Sequence, residues 1–243
     1  MLDLPPPQAL LFDWQNTLAS TMDALYNAVD DTLTLLKPQH GLADNELGRY
    51  VKRHHRLPKE VRAEKKMSRT DLFRMIFVDE NAREATSDTF NECYRNHFKD
   101  VHALDDAIEP MLKNFRKRGI KLGIVSNRAR AFINHELAAM GWDKLFDTVI
   151  AAGDGCPKKP SPEPMLIALR HLGMKPGRHI WFMGDGKSDI QCGCAAGVAT
   201  VFYNFAGWTM QELNEMFPVA SEVRPDRIVQ DFEEFQELVD GLR

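Results

Sequence analysis

With 243 residues, 44% of them hydrophobic and 27% charged, the chain is long enough and apolar enough to bury a sizeable core. A net charge of only -4 excludes the strong basic balance of a nucleic-acid or membrane-surface binder. No apolar run approaches the roughly 20 residues that a membrane helix needs.

The N-terminal stretch MLDLPPPQALLF has neither a basic n-region nor a long apolar h-region, so the expectation is a cytoplasmic protein without a secretory signal. The first predicted element is the apolar run ALLFD at 9–13. It leads into a polar turn containing Gln15, Asn16 and Thr17.

Roughly 100 residues then pass without a pattern that reads as a buried strand. Instead Met22, Leu25, Val29, Leu33 and Leu36 keep a three-to-four spacing, and SRTDLFRMIF and SDTFNECYRNHF behave similarly. Residues 20–104 are therefore expected to form an inserted all-helical domain, with residues 1–19 and 105–243 forming the other. Within the insertion, 51–69 holds eight Lys or Arg against two Glu. It reads either as a solvated helix face or as an electropositive lip that attracts an anionic substrate.

After the insertion, strand-like runs return at KLGIVSN (121–127), TVIAAG (148–153), HIWFMGDG (179–186) and ATVFYN (199–204). Helical stretches such as RAFINHELAAMGW and SPEPMLIALRHLGM lie between them. Alternation of this kind predicts an α/β fold with right-handed crossovers and a Rossmann-like parallel sheet. The site of such a sheet lies beyond the carboxyl ends of its strands. Cys93, Cys156, Cys192 and Cys194 show no C-x-x-C spacing and read as reduced thiols.

Polar residues follow the first strand (Asp13 to Thr17) and the second (Ser126, Asn127). Others stand in KKPSP at 158–162 and GDGKSD at 184–189. One aspartate after a strand is an ordinary turn or cap residue. Four such groups in this order resemble the motifs of the haloacid dehalogenase-like hydrolase superfamily, matched here by FDWQNTL, VSN, KPSP and GDGKSD. The helical insertion after the first motif looks like the cap of its phosphoglycolate-phosphatase-like branch. GDGKS does not make a nucleotide P-loop, because Trp181 stands where that motif needs its first glycine.

The resemblance implies a Mg²⁺-dependent phosphohydrolase acting on a small phosphorylated metabolite through an aspartyl-phosphate on Asp13. It assigns Mg²⁺ to Asp13, the backbone carbonyl of Gln15, Asp185 and Asp189. Ser126, Asn127, Thr17 and Lys159 would face the phosphate, with Lys159 also catalytic. Gln15 departs from the pattern, since phosphatases of the superfamily usually carry there a second aspartate that moves protons. An amide orients groups by hydrogen bonds but has no usable pKa, and general acid–base catalysis is worth about 10² to 10⁴ in rate. Three readings stay open: a slowed phosphohydrolase, a dormant member that binds a phosphorylated ligand or a protein, and a phosphonatase-like carbon–phosphorus hydrolase.

Overall fold

The structure, a computed structural model, describes residues 4–63 and 69–241. Residues 64–68 of the basic segment, including Lys65 and Lys66, lie outside the described residues.

The strands in chain order are β1 (Ala9–Phe12), β2 (Ala19–Ser20), β3 (His102–Ala103), β4 (Lys121–Ala129), β5 (Thr148–Ala152), β6 (Ile180–Gly184), β7 (Ala199–Tyr203) and β8 (Arg227–Val229). Six of them form a parallel sheet in the order β5-β4-β1-β6-β7-β8. Every residue of β1, β6 and β7 is buried, as expected for parallel strands covered on both faces. Side chains alternate between those faces. Leu11 packs with Val125, Ile150, Met165, Leu169 and Phe182, whereas Phe12 meets the Phe235 ring at 5.9 Å on the other side.

The register brings the strand ends to one level. Phe12 pairs with Ile124 on one side and Met183 on the other, so Asp13, Val125–Ser126 and Gly184–Asp185 emerge together.

The chain divides into two compact units, Met1–Ser20 with His102–Arg243, and Thr21–Val101. The expected limits of 20 and 104 move inward to 21 and 101 because β2 and β3 pair antiparallel, Ala19 with Ala103 and Ser20 with His102. Leu104 N–H also donates to the Leu18 carbonyl at 2.9 Å. These bonds belong to the sheet unit.

The Thr21–Val101 unit is built on helices Met22–Leu36, Glu46–His54, Lys59–Ala63, Arg69–Ile76 and Glu80–Arg95. Met22, Leu25, Val29 and Leu33 are buried as their spacing predicts, but Leu36 is 42% exposed. It ends its helix, and Lys37 beyond it turns away in the left-handed region at φ 42°. Phe73 makes edge contacts with Phe77 and Phe90 at 6.1 and 5.6 Å, so an aromatic cluster ties the later helices. The basic segment is divided. Arg62 is bound to Asp30 and Asn27 at 2.5 and 2.6 Å, while Lys52, Arg53, Arg56 and Lys59 are exposed.

Candidate active site

The turn after β1 is tightly specified. Asp13 N–H donates to the Met183 carbonyl at 2.9 Å, which fixes its backbone on β6. The Trp14 carbonyl accepts from both Leu18 and Ala19, and Asn16 N–H returns to the Ala19 carbonyl. Closing this loop puts Asn16 at φ 58°, a left-handed backbone that asparagine adopts more readily than most residues.

Lys159 is the hub. Its ammonium donates to Asp13 Oδ1 at 2.7 Å and to the Val125 carbonyl at 2.8 Å, and pairs with Asp189 Oδ1 at 2.6 Å. Burial opposes its charge, but Asp13 and Asp189 outweigh that cost and raise its pKa above the ordinary lysine value. Lys158 is exposed, so the neighbour that the motif selects is the one in the site. Asn127 holds the lysine's segment by two bonds: its Nδ2 donates to the Lys159 carbonyl at 2.9 Å and its Oδ1 accepts from Lys159 N–H at 2.8 Å.

Beyond β6, Asp189 Oδ2 accepts from Gly186 N–H at 2.9 Å, closing the first turn of helix Lys187–Ala196. A Cβ on Gly184 would lie 2.4 Å from Asp189 Oδ2, so only glycine leaves room for that carboxylate. Thr17 Oγ1 donates to Asp185 Oδ1 at 3.3 Å, which links the first and fourth motifs. Ser126 is buried, and its oxygen accepts from Arg128 N–H at 3.3 Å, leaving its own O–H to donate elsewhere.

Carboxylate oxygens of Asp13, Asp185 and Asp189 all lie within 4.8 Å of one another. Burial, with the charges of Asp13 and Asp189, lifts the Asp185 carboxyl well above the usual carboxylate range. Burial also raises Asp189 to about 6 against the pull of Lys159. Two buried acids and the half-buried Asp185 with one lysine lack positive charge, and their hard oxygens suit Mg²⁺. Asp189 already spends one oxygen on Lys159 and the other on Gly186. Asp13 and Asp185 are the better placed to ligate, and Asp189 to support.

The motif spacing brings Asp13, Lys159 and Asp189 into one bonded cluster with the Thr17–Asp185 pair beside it, and Ser126 and Asn127 on the adjacent strand end. It gives no notice of Trp14, Arg128 and Glu136, which meet beside that cluster. Glu136 has 0% exposure and accepts from Trp14 Nε1 at 2.7 Å. Its only mark in the sequence is a charged residue on the apolar face of its helix, between Ile133 and Leu137. Among the described residues no helix is long and apolar enough to cross a membrane.

A family model described as haloacid dehalogenase-like hydrolase matches residues 10–203. A pyrophosphatase PpaX of Oceanobacillus iheyensis is 31% identical over 163 residues, 67% of this chain and 72% of that protein. A phosphoglycolate phosphatase of Haemophilus influenzae is 29% identical over 158 residues, 65% of this chain and 66% of that protein. The crystal structure of a HAD-superfamily hydrolase from Ehrlichia chaffeensis has the same fold, with a TM-score of 0.59 at 22% identity and coverage of 99% of both chains.

Proposed function

The chain belongs to the haloacid dehalogenase-like hydrolase family, and from that premise we propose that it is a Mg²⁺-dependent phosphohydrolase of small phosphorylated metabolites, slowed toward alkyl esters by Gln15. The observation that carries the reading is the buried hub in which Lys159 touches both Asp13 and Asp189, with Asp185 alongside.

Asp13 attacks phosphorus in line, the bond to the leaving oxygen breaks, and an aspartyl-phosphate forms. Water then attacks the same phosphorus, the bond to Asp13 breaks, and orthophosphate leaves. Lys159 offsets the repulsion between the Asp13 carboxylate and the incoming phosphate. Ser126 donates its hydroxyl to a phosphoryl oxygen, and Asn127 keeps Lys159 in place. Mg²⁺, when held by Asp13, Asp185 and the Gln15 carbonyl, supplies the charge that balances the phosphoryl oxygens.

Gln15 sets the preference among substrates. A phosphate, acyl or aryl oxygen leaves with little protonation, whereas an alkoxide needs an acid that this position does not supply. Anhydrides, acyl phosphates and aryl phosphates are therefore the expected substrates, in keeping with a relative named as a pyrophosphatase. The exposed Lys52, Arg53 and Arg56 of the basic segment would raise affinity for such anions.

The test is a panel of pyrophosphate, acyl, aryl and alkyl phosphates and phosphonoacetaldehyde, each with and without Mg²⁺. Gln15→Asp should raise alkyl phosphate hydrolysis by ~10-fold or more, and Asp13→Asn should abolish it in either background. A Gln15→Asp variant that folds and binds Mg²⁺ yet stays inert on every compound would replace this reading by that of a dormant binding protein.

A further inference from the structure

Glu136 is a buried carboxylate that the phosphoryl-transfer steps leave without a role. It sits on helix Arg130–Ala139 at 0% exposure. Removing an ionised carboxylate from water costs several kcal/mol in a real protein, so its partners define what it does. Trp14 Nε1 donates to its Oε2 at 2.7 Å. Arg128 Nε donates to Oε1 and Oε2 at 2.9 and 2.8 Å, and a terminal Arg128 nitrogen closes the fork on Oε1.

Both partners adjoin the reacting groups. Trp14 is bonded through its peptide to Asp13, and its carbonyl accepts from Leu18 and Ala19, so its side chain anchors the loop that carries Gln15, Asn16 and Thr17. Arg128 donates its backbone N–H to Ser126 Oγ at 3.3 Å. One carboxylate thus spans the ends of β1 and β4, through the residue next to the nucleophile and the residue two beyond the phosphate-binding hydroxyl. Packing braces the bridge, with the Trp142 ring edge-on to Trp14 at 6.1 Å and the Arg128 guanidinium 5.3 Å from the Phe132 centroid.

We propose that Glu136 is a positioning residue for phosphoryl transfer, setting the separation and orientation of Asp13 and Ser126 through Trp14 and Arg128. This rests on the phosphohydrolase reading of the site. In-line attack demands close placement of nucleophile and phosphate, and a misplacement of about 1 Å costs on the order of 100-fold in rate. Loss of the bridge should therefore lower kcat by more than it raises KM, since Lys159 keeps its own bonds to Asp13, Asp189 and the Val125 carbonyl while the alignment of Asp13 and Ser126 is lost.

A structural role alone would also make Glu136 variants unstable, so the test separates stability from rate. Glu136→Leu combined with Arg128→Leu replaces the buried ion pair with apolar groups, a change that often preserves or improves stability. Trp14→Phe keeps an aromatic ring but deletes the donor and part of the buried ring volume. With 4-nitrophenyl phosphate and Mg²⁺, each should stay cooperatively folded at the assay temperature and lose about 10- to 100-fold in kcat. Combining Trp14→Phe with the Leu pair should cost little more than either change, because both cut the same bridge. In ¹H–¹⁵N spectra, the indole signal that disappears in Trp14→Phe should move in the Leu pair. An active wild type whose folded variants keep kcat, or whose losses multiply, overturns this inference alone. A wild type inert toward every phosphate overturns the proposed function and this inference with it.

Discussion

Lys159 illustrates how one residue holds opposing demands. Its ammonium is buried with two acids, and without it Asp13 and Asp189, with Asp185 close by, would lose the cation that they share. Removing one partner of a buried ion pair typically costs about 3 to 5 kcal/mol. Lys159→Met should therefore lower stability by that order in chelator and abolish turnover, with Mg²⁺ recovering part of the stability. A denaturant titration that finds the variant as stable as wild type without metal would contradict this account. His97 shows the same logic with a titrating cation. Its Nε2 lies 2.8 Å from Asp31 and its Nδ1 2.7 Å from Asp100, an arrangement that only the imidazolium satisfies with two donors. Burial pulls its pKa down, but hydrogen bonds to Asp31 and Asp100 outweigh that and raise it above 6.5. Because the folded value exceeds the unfolded one, the stability His97 contributes is full below pH 6.5 and is lost as pH rises through the folded value. The melting-temperature gap between wild type and His97→Gln should be wide at pH 6 and narrow at pH 9. A gap that stays constant across that range would contradict the charged clamp.

At the scale of elements, helix Lys187–Ala196 carries Asp189 in its first turn and is seated by a glycine. A Cβ on Gly193 would meet Thr200 Cγ2 at 2.5 Å, so the Thr200 methyl fills the space that glycine leaves between the helix and β7. Overpacking of this kind costs about 1 to 3 kcal/mol. Gly193→Ala should destabilise by that order, and Thr200→Ser should recover part of the loss, since it removes the methyl but keeps the hydroxyl that faces Asp226. An unperturbed unfolding midpoint in Gly193→Ala would show that the helix can slide freely. The same elements mark what the sequence makes legible. Five strands stand out because both faces are covered and the runs are continuously apolar. β8 does not, being three residues at the sheet edge with Arg227 and Ile228 only half-buried. The chemical groups are legible because they stand in short motifs: Asp13 and Asp185 directly follow β1 and β6, Ser126 and Asn127 lie in the last residues of β4, and Lys159 stands in the loop after β5. The Trp14–Glu136 bond joins residues 122 apart, and no local pattern encodes such a pairing. The helix ending at Arg95 begins at Glu80, earlier than its apolar spacing suggests, because the Asp79 side chain caps it by accepting from Asn81 N–H at 3.0 Å.

For the whole molecule, the chain's course through β2 and β3 makes the helical unit separable. Ser20 and His102 are register partners in an antiparallel pair, so the sheet unit leaves and regains its chain at neighbouring points. A two-residue Asn-Gly connection suits the twist of such a pair. Replacing residues 21–101 by that turn should give a core that unfolds cooperatively, because the six-stranded sheet lies wholly outside the excised segment. Asp13, Lys159, Asp185 and Asp189 also stay in the retained unit, so Mg²⁺ affinity measured by calorimetry should remain close to that of the full chain. Anion attraction is where the two proteins should part. Exposed Lys52, Arg53, Arg56 and Lys59 all leave with the excised segment, and screening of such charges by salt is what makes their effect on KM depend on ionic strength. The full chain should show KM for pyrophosphate rising with salt, while the excised core should show a higher KM that responds weakly. A core that will not fold would refute the division into two units. A folded core with the same salt-dependent KM would remove the basic segment from substrate capture and return those residues to a solvated helix face.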